Sequence, residues 1–134
     1  MAVDVAIREA LAARLATLAI SPALPVAWEN VRFEGPDHGW VEAQIFRSGK
    51  TRLGNSTRHR HFGFMQVTVV APREIGAVKP DEIAAAVAEH FPVDLRLPAG
   101  GREVRVTSEP ALATGLSDES WWRVPVTVPF ELYD

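Results

Sequence analysis

The stretch GFMQVTVVA at residues 63–71 decides the fold of this chain, because it is the strongest strand pattern in the sequence. Its apolar residues Met65, Val67 and Val69 alternate with polar ones, which places the three apolar side chains on one face. Pro72 then ends the strand, because a proline lacks the N–H group that a strand ladder needs. We therefore predict a buried strand with one face turned to the core.

The segment that precedes this strand, residues 47–60, is uniformly basic. It contains no acidic residue, and its cationic residues are Arg47, Lys50, Arg52, Arg58 and Arg60. Because Gly and Ser punctuate the segment, we predict a long loop that projects positive charge from a rigid scaffold. The loop has no aromatic residue on which bases could stack, so it favours a non-specific electrostatic surface over a sequence-reading nucleic-acid module.

Two helices are predicted from apolar residues at three- and four-residue steps. The first covers residues 2–18 and is expected to end at Ser21-Pro22. The second begins at Pro80, which suits a first helical turn, and two carboxylates follow it at the positive end of the helix dipole. Pro92 is expected to end this second helix.

Alternating patterns predict further strands at residues 40–46 and 122–132, and a hairpin at residues 95–106. Pro125 and Pro129 lie on one side of the final strand, where neither can donate a hydrogen bond. We therefore predict that this strand is an edge strand or a bulged strand.

Residues 109–120 are mostly small, and predict a long loop. Together these elements predict one α+β domain over residues 1–134, with an antiparallel β-sheet and two α-helices packed on one face.

Composition limits the classes of protein to which the chain can belong. With 134 residues, 47% of them hydrophobic, the chain can bury one core. The net charge of -3 means that any attraction for nucleic acid must be local. The absence of cysteine excludes disulfides and thiolate metal sites. Charged residues such as Asp4 and Arg8 interrupt the first helix, so neither a signal peptide nor a membrane span is expected there.

No catalytic, cofactor-binding or metal-binding residue is predicted. His59 and His61 are spaced as two metal ligands could be, but the arginines around them oppose cation binding. The carboxylates of Asp81 and Glu82 are explained by the helix start. The serines lack a Gly-x-Ser-x-Gly turn, and no phosphate-binding glycine motif occurs. We therefore predict that the chain is not an enzyme.

Two adjacent tryptophans lie at the start of the final strand, where they face opposite ways. Trp122 shares the parity of the core residues. Trp121 lies with Arg123 and Thr127 on the polar face, where a tryptophan is costly to expose. These three residues are the candidates for a subunit interface.

Four pieces of sequence, in their order along the chain, carry a family resemblance: residues 25–30 (PVAWEN), 63–69 (GFMQVTV), 88–92 (AEHFP) and 122–130 (WRVPVTVPF). With the amphipathic first helix they are spread over most of the chain, from residue 2 to residue 130. The sequence resembles the tail terminator proteins of long-tailed bacteriophages and prophages, of the lambda minor tail protein U type.

The resemblance implies a small α+β subunit that forms a hexameric ring on the end of the tail tube. Such a ring stops tube polymerisation and provides the surface to which the head joins. The implied partners are other copies of the chain, the major tail tube protein, a head-completion or connector protein and, non-specifically, DNA in the lumen, with no membrane.

The implied location is the virion tail, and the host cytoplasm during assembly. The five basic residues of the segment 47–60 are the candidate contacts to a partner or to DNA. The alternatives are another neck or tail-completion protein, a small-molecule enzyme and a general nucleic-acid-binding module.

Overall fold

The computed structural model describes residues 2–20 and 23–134. The helices are α1 (Val3–Ala16) and α2 (Val78–His90). The strands are β1 (Val26–Ala27), β2 (Trp40–Arg52), β3 (His59–Pro72), β4 (Arg96–Ala99), β5 (Arg102–Val106), β6 (Ala111–Leu112), β7 (Leu116–Asp118) and β8 (Trp121–Tyr133). The predicted helix stop at Ser21-Pro22 lies outside the described residues.

Both predicted helices form, and both pack on the same face of the sheet. Helix α1 buries Ile7, Leu11 and Leu15, which recur at four-residue steps. Helix α2 begins two residues earlier than predicted, so Pro80 lies inside its first turn, where its missing N–H group has no consequence. Phe91, at the end of α2, is completely buried. Neither helix is long and apolar enough to cross a membrane in the part of the chain that the structure describes.

The sheet is curled and mixed, with the strand order β1-β2-β3-β8-β5-β4, and β6 and β7 also pair with β8. The prediction of a purely antiparallel sheet is wrong at one edge, because β1 pairs with β2 in parallel. The connection at residues 28–39 returns the chain to the same end before β2 begins, as a parallel pair requires. The backbone N–H of Val41 donates to the carbonyl of Pro25 at 2.9 Å.

The predicted central strand is confirmed. Met65, Val67 and Val69 of β3 are at most 1% exposed and lie in the core with the helices. Strand β3 pairs with β8 along its whole length, from Arg60 opposite Tyr133 to Pro72 opposite Trp121. This long pair is the rigid centre of the molecule.

The prediction that the final strand is an edge or bulged strand is wrong, because β8 is central. Its second side is covered in pieces by β5, β6 and β7. The prolines cannot donate on that side, but their carbonyls accept. Pro125 accepts from the N–H of Ala113 at 2.8 Å, and Pro129 accepts from the N–H of Thr107 at 3.1 Å. The prolines therefore divide this side of β8 into short pairings instead of leaving it open.

Two predicted loops are wrong in part. The basic segment is a β-hairpin, because β2 continues to Arg52 and β3 already begins at His59. A β-bulge interrupts the register between Arg47 and Gly49. The segment 109–120 contains the short strands β6 and β7, which lie along β8. In both places cross-strand pairing overrides the turn-forming composition. The predicted hairpin around Gly100 and Gly101 is confirmed.

Candidate functional site

The basic residues of the sequence lie together on one projecting hairpin, here called the basic hairpin (residues 47–60). Lys50, Arg52 and Arg58 are exposed, whereas Arg60 is half-buried. Most of the hairpin's charge therefore faces solvent at the end of the sheet where β3 begins. A hairpin holds such charges in a defined direction better than a mobile loop does.

Asp134 holds the base of the basic hairpin. Its carboxylate accepts a hydrogen bond from the N–H of His59 at 2.6 Å, and its other oxygen lies 2.9 Å from Nε2 of His61. The guanidinium of Arg58 donates to the backbone oxygen of Asp134 at 2.7 Å. The hydrogen bond with His61, followed by that with the backbone of His59, lowers the pKa of Asp134 to about 2.

The second anchor of the hairpin is Glu131 of β8, which is buried between two arginines. Arg60 donates to its Oε1 at 2.8 Å, and Arg105 donates to its Oε2 at 2.6 Å. Burial alone raises the pKa of Glu131, but the hydrogen bonds from Arg60 and Arg105 outweigh it and lower the pKa below its ordinary value. Arg105 also pairs with Asp94. Arg60 is thus part of the fold as well as of the basic surface.

The five predicted contact residues therefore divide into two groups. Arg58 and Arg60 hold the hairpin to the end of β8, and Arg47 lies 3.8 Å from a carboxylate oxygen of Asp4. Lys50 and Arg52 have no carboxylate partner among the described residues, and Arg52 donates only to carbonyls of the hairpin turn. Lys50 and Arg52 are thus the hairpin cations whose charge no carboxylate of the described residues offsets.

The two histidines lie close together, but they do not form a metal cluster. Their ring centroids are 6.3 Å apart, and both rings face Asp134. Over residues 2–20 and 23–134, no three His, Asp or Glu side chains are grouped as a metal ion would need. The geometry of this pair is that of a structural clamp on the hairpin.

The predicted interface residues Trp121, Arg123 and Thr127 lie on the face of β8 that is turned away from the helices. The Trp121 ring packs edge-on against Trp40, with centroids 4.5 Å apart. Arg123 donates to Glu42 at 3.0 Å and to Asp118 at 3.0 Å. These intramolecular contacts explain why a tryptophan is tolerated on this polar face.

Trp122 points to the opposite face and packs against the core, as its parity predicted. Its Nε1 atom is buried and has no hydrogen-bond partner within the described chain. A Cβ atom at Gly115 would lie 2.3 Å from the Trp122 ring, so any larger residue there would have to displace the ring or the backbone.

Sequence reasoning missed one surface, here called the strap (residues 108–120). The strap carries β6 and β7 along the outer side of β8, and nearly all its side chains are exposed. It contains three carboxylates and no Lys or Arg, and its exposed apolar residues include Leu112 and Leu116. The signal in the sequence was this one-sided charge, opposite in sign to that of the basic hairpin.

A cavity with a volume of about 200 Å³ lies between α1 and β2, where it is lined by Arg8, Trp28, Glu29, Ile45 and Met65 among others. Its one carboxylate is already engaged. Glu29 accepts from Arg8 at 2.8 Å and from the N–H of Ile45 at 2.6 Å. Burial raises the pKa of Glu29, but these hydrogen bonds outweigh it and lower the pKa. The carboxylate therefore caps the free edge of β2, a structural task.

The chain is similar to known proteins over most of its length. The model of a family described as phage tail terminator protein matches residues 6–130. No curated protein matches the chain significantly. One solved structure, which carries no functional description, is 28% identical with a TM-score of 0.80, and the match covers 96% of this chain and 94% of that one.

A second solved structure is the virion of a native gene transfer agent particle. One of its chains matches with 15% identity and a TM-score of 0.72, covering 99% of this chain and 98% of that chain. At this level of identity the likeness shows a shared fold.

Proposed function

The chain belongs to the phage tail terminator family, and we propose that it forms a ring on the end of a finished tail tube. The ring stops further polymerisation of the tube and provides the surface to which the head joins. The observation that carries this proposal is the family match, which spans residues 6–130 and therefore nearly the whole core.

The role is structural, in the tail of the virion. The proposed ring is a hexamer that contacts the major tail tube protein on one side and a head-completion or connector protein on the other. Assembly takes place in the host cytoplasm, and residues 1–134 act as one domain. The long β3–β8 pair supports this proposal, because a ring subunit needs a rigid centre that holds its contact surfaces in place.

Two surfaces are proposed as contacts. Trp121, Arg123 and Thr127 lie on the uncovered face of the sheet and supply part of the interface between subunits. The basic hairpin, with Arg47, Lys50, Arg52, Arg58 and Arg60, supplies a contact to a partner of negative charge. Its two anchors, Asp134 and Glu131, support this role because they fix the direction in which the hairpin projects.

The proposed function is tested by imaging particles that are assembled without this protein. We expect tails of uncontrolled length that do not join heads, because nothing ends the growth of the tube. Supplying the wild-type chain restores tails of uniform length. Tails of normal length that join heads in its absence would show that another protein ends the tube.

A further inference from the structure

The far end of the strap, with Glu119, lies a long way from the basic hairpin of the same subunit. The register of β3 and β8 places the basic hairpin at the end where Arg60 faces Tyr133, and the end of the strap at the other, where β7 pairs with residues 121–123. From residue 60 to residue 72 a strand extends roughly 40 Å at about 3.3 Å per residue. Screening acts over about 8–10 Å at physiological salt, so Glu119 cannot neutralise the hairpin within one subunit. The beginning of the strap lies nearer to the hairpin, because the preceding residue, Thr107, donates to the carbonyl of Pro129.

We propose that the basic hairpin of one copy of the chain docks on the strap of the next copy. This inference rests on the proposed ring and names the negatively charged partner of the hairpin. Since hairpin and strap are different surfaces, the contact is head-to-tail, and a head-to-tail contact closes a ring when the rotation between copies permits.

Charge complementarity is the first argument. The hairpin offers Lys50 and Arg52, which have no carboxylate partner in the described chain. The strap offers Glu109 and Glu119, whose carboxylates are exposed and form no salt bridge among the described residues. Arg73 reaches the strap only at the backbone oxygen of Glu119. Its third carboxylate, Asp118, is held by Arg123. Opposite charges of this kind steer subunits together and set their register.

The uncovered state of the strap is the second argument. Leu112 is 42% exposed and Leu116 is 63% exposed, and both lie between the free carboxylates along the chain. An ordered segment whose apolar side chains face solvent inside a charged rim has the anatomy of an interface. The outer edges of β6 and β7 also carry backbone groups that can pair with a second strand.

The experiment uses two charge-reversed forms of the full chain. The hairpin form carries Lys50→Glu and Arg52→Glu, and the strap form carries Glu109→Lys and Glu119→Lys. The affected side chains are exposed, so both forms should melt like wild type. Matched controls are Arg102→Glu and Glu89→Lys, which reverse exposed charges elsewhere. Sedimentation with purified tail tubes, with and without cross-linking, measures rings on tube ends.

Each form alone places like charges together at every contact, and we expect ring formation to fall at least about tenfold. Mixing the two forms in equal amounts restores it, because the acidic strap of one form meets the basic hairpin of the other. Rings then contain both forms in alternation. No mutual rescue is expected if the hairpin binds DNA or the tail tube, so defective forms that stay defective when mixed overturn the proposal.

A second measurement does not depend on reversed charges. The chain contains no cysteine, so Lys50→Cys combined with Glu119→Cys introduces the only thiols. A flexible bismaleimide should link neighbouring copies on tube ends into a ladder, whereas Lys50→Cys with Glu89→Cys should give none. If the wild-type chain forms rings on tube ends but the chain with Lys50→Cys and Glu119→Cys gives no cross-linked ladder, the proposed contact is refuted. Failure of the wild-type chain to bind tubes at all would instead refute the proposed function.

Discussion

Nε2 of His61 lies 2.9 Å from Oδ2 of Asp134. This contact joins the beginning of β3 to the residue that follows β8. The hydrogen bond with His61, followed by that with the backbone of His59, lowers the pKa of Asp134 from 3.8 to about 2. A lowered pKa means that the ionised carboxylate favours the folded state. Its stabilisation is complete above pH 3.8 and is lost as the pH falls through about 2.

The first prediction concerns this pH dependence. Asp134→Asn should be less stable than wild type at pH 6, and the difference should shrink as the pH falls from 3.8 through about 2, below which Asp134 is protonated in both states. Urea unfolding at several pH values measures the difference. Asp37→Asn is the matched control, since Asp37 is exposed. An Asp134→Asn deficit that stays constant from pH 6 to pH 2 would contradict the role of the ionised carboxylate.

The second prediction concerns Glu131. Glu131→Gln removes a buried carboxylate that accepts from both Arg60 and Arg105. We expect the free energy of unfolding to fall by about 2 kcal/mol, because both guanidiniums lose a charged partner while remaining partly solvated. Chemical denaturation at pH 7 measures it. An unchanged midpoint would mean that water replaces the carboxylate without cost.

The third prediction separates the arginines and lysine of the basic hairpin. Arg60→Ala should lower the free energy of unfolding by about 1–2 kcal/mol, because Arg60 contacts Glu131 and covers the ring of Phe62 at 4.5 Å. Lys50→Ala should change it by less than about 0.5 kcal/mol, as an exposed unpaired residue does. Thermal melts of both variants measure the two losses of stability. Equal losses would show that the hairpin charges contribute equally to folding.

The fourth prediction concerns Gly63, which faces the β-bulge. A Cβ atom there would lie 2.2 Å from the backbone oxygen of Phe46. Because a backbone atom cannot yield as a flexible side chain can, Gly63→Ala should cost about 1–3 kcal/mol. A thermal melt measures the loss of stability. Sedimentation with tail tubes measures whether the hairpin still projects in the direction that ring formation needs. Gly63→Ala with wild-type stability would show that the bulge adjusts freely.

The fifth prediction tests the core face of β3. Val67→Asp places an unpaired charge at a position that is 0% exposed, and its cost of several kcal/mol should unfold a domain whose total stability is about 5–15 kcal/mol. Gln44→Asp on the neighbouring strand is exposed and should fold normally. Circular dichroism distinguishes the two, and a folded Val67→Asp would place the core elsewhere.

Local periodicity was sufficient to predict the helices, the core face of β3 and the β4–β5 hairpin. In each case the apolar spacing of one segment determines which face is buried, as with Met65, Val67 and Val69. The position of β8 in the sheet was not predictable in this way. The prolines correctly indicate missing donors, but only the fold shows that Ala113 and Thr107 donate to their carbonyls.

The candidate site was predictable in composition but not in arrangement. The run of cations at residues 47–60 marked the surface, yet the division into anchoring and free cations depends on Glu131 and Asp134. These residues lie more than seventy positions away in sequence from the arginine and histidine that they bind. The parallel β1–β2 pair likewise depends on a non-local return of the chain, for which residues 26–27 carry no periodic signal.

The prolines of β8 also divide the molecule into regions that open at different free energies. The strap is held to β8 by the short ladders of β6 and β7, whereas β3 is paired on both sides over its length. The strap can therefore unfold locally while the β2–β3–β8 ladder stays closed. In native-state hydrogen exchange the amide of Ala113 should exchange long before that of Val67. A segment that opens at a low free energy can change its conformation when a subunit contacts its neighbours. The core of each subunit then stays unchanged.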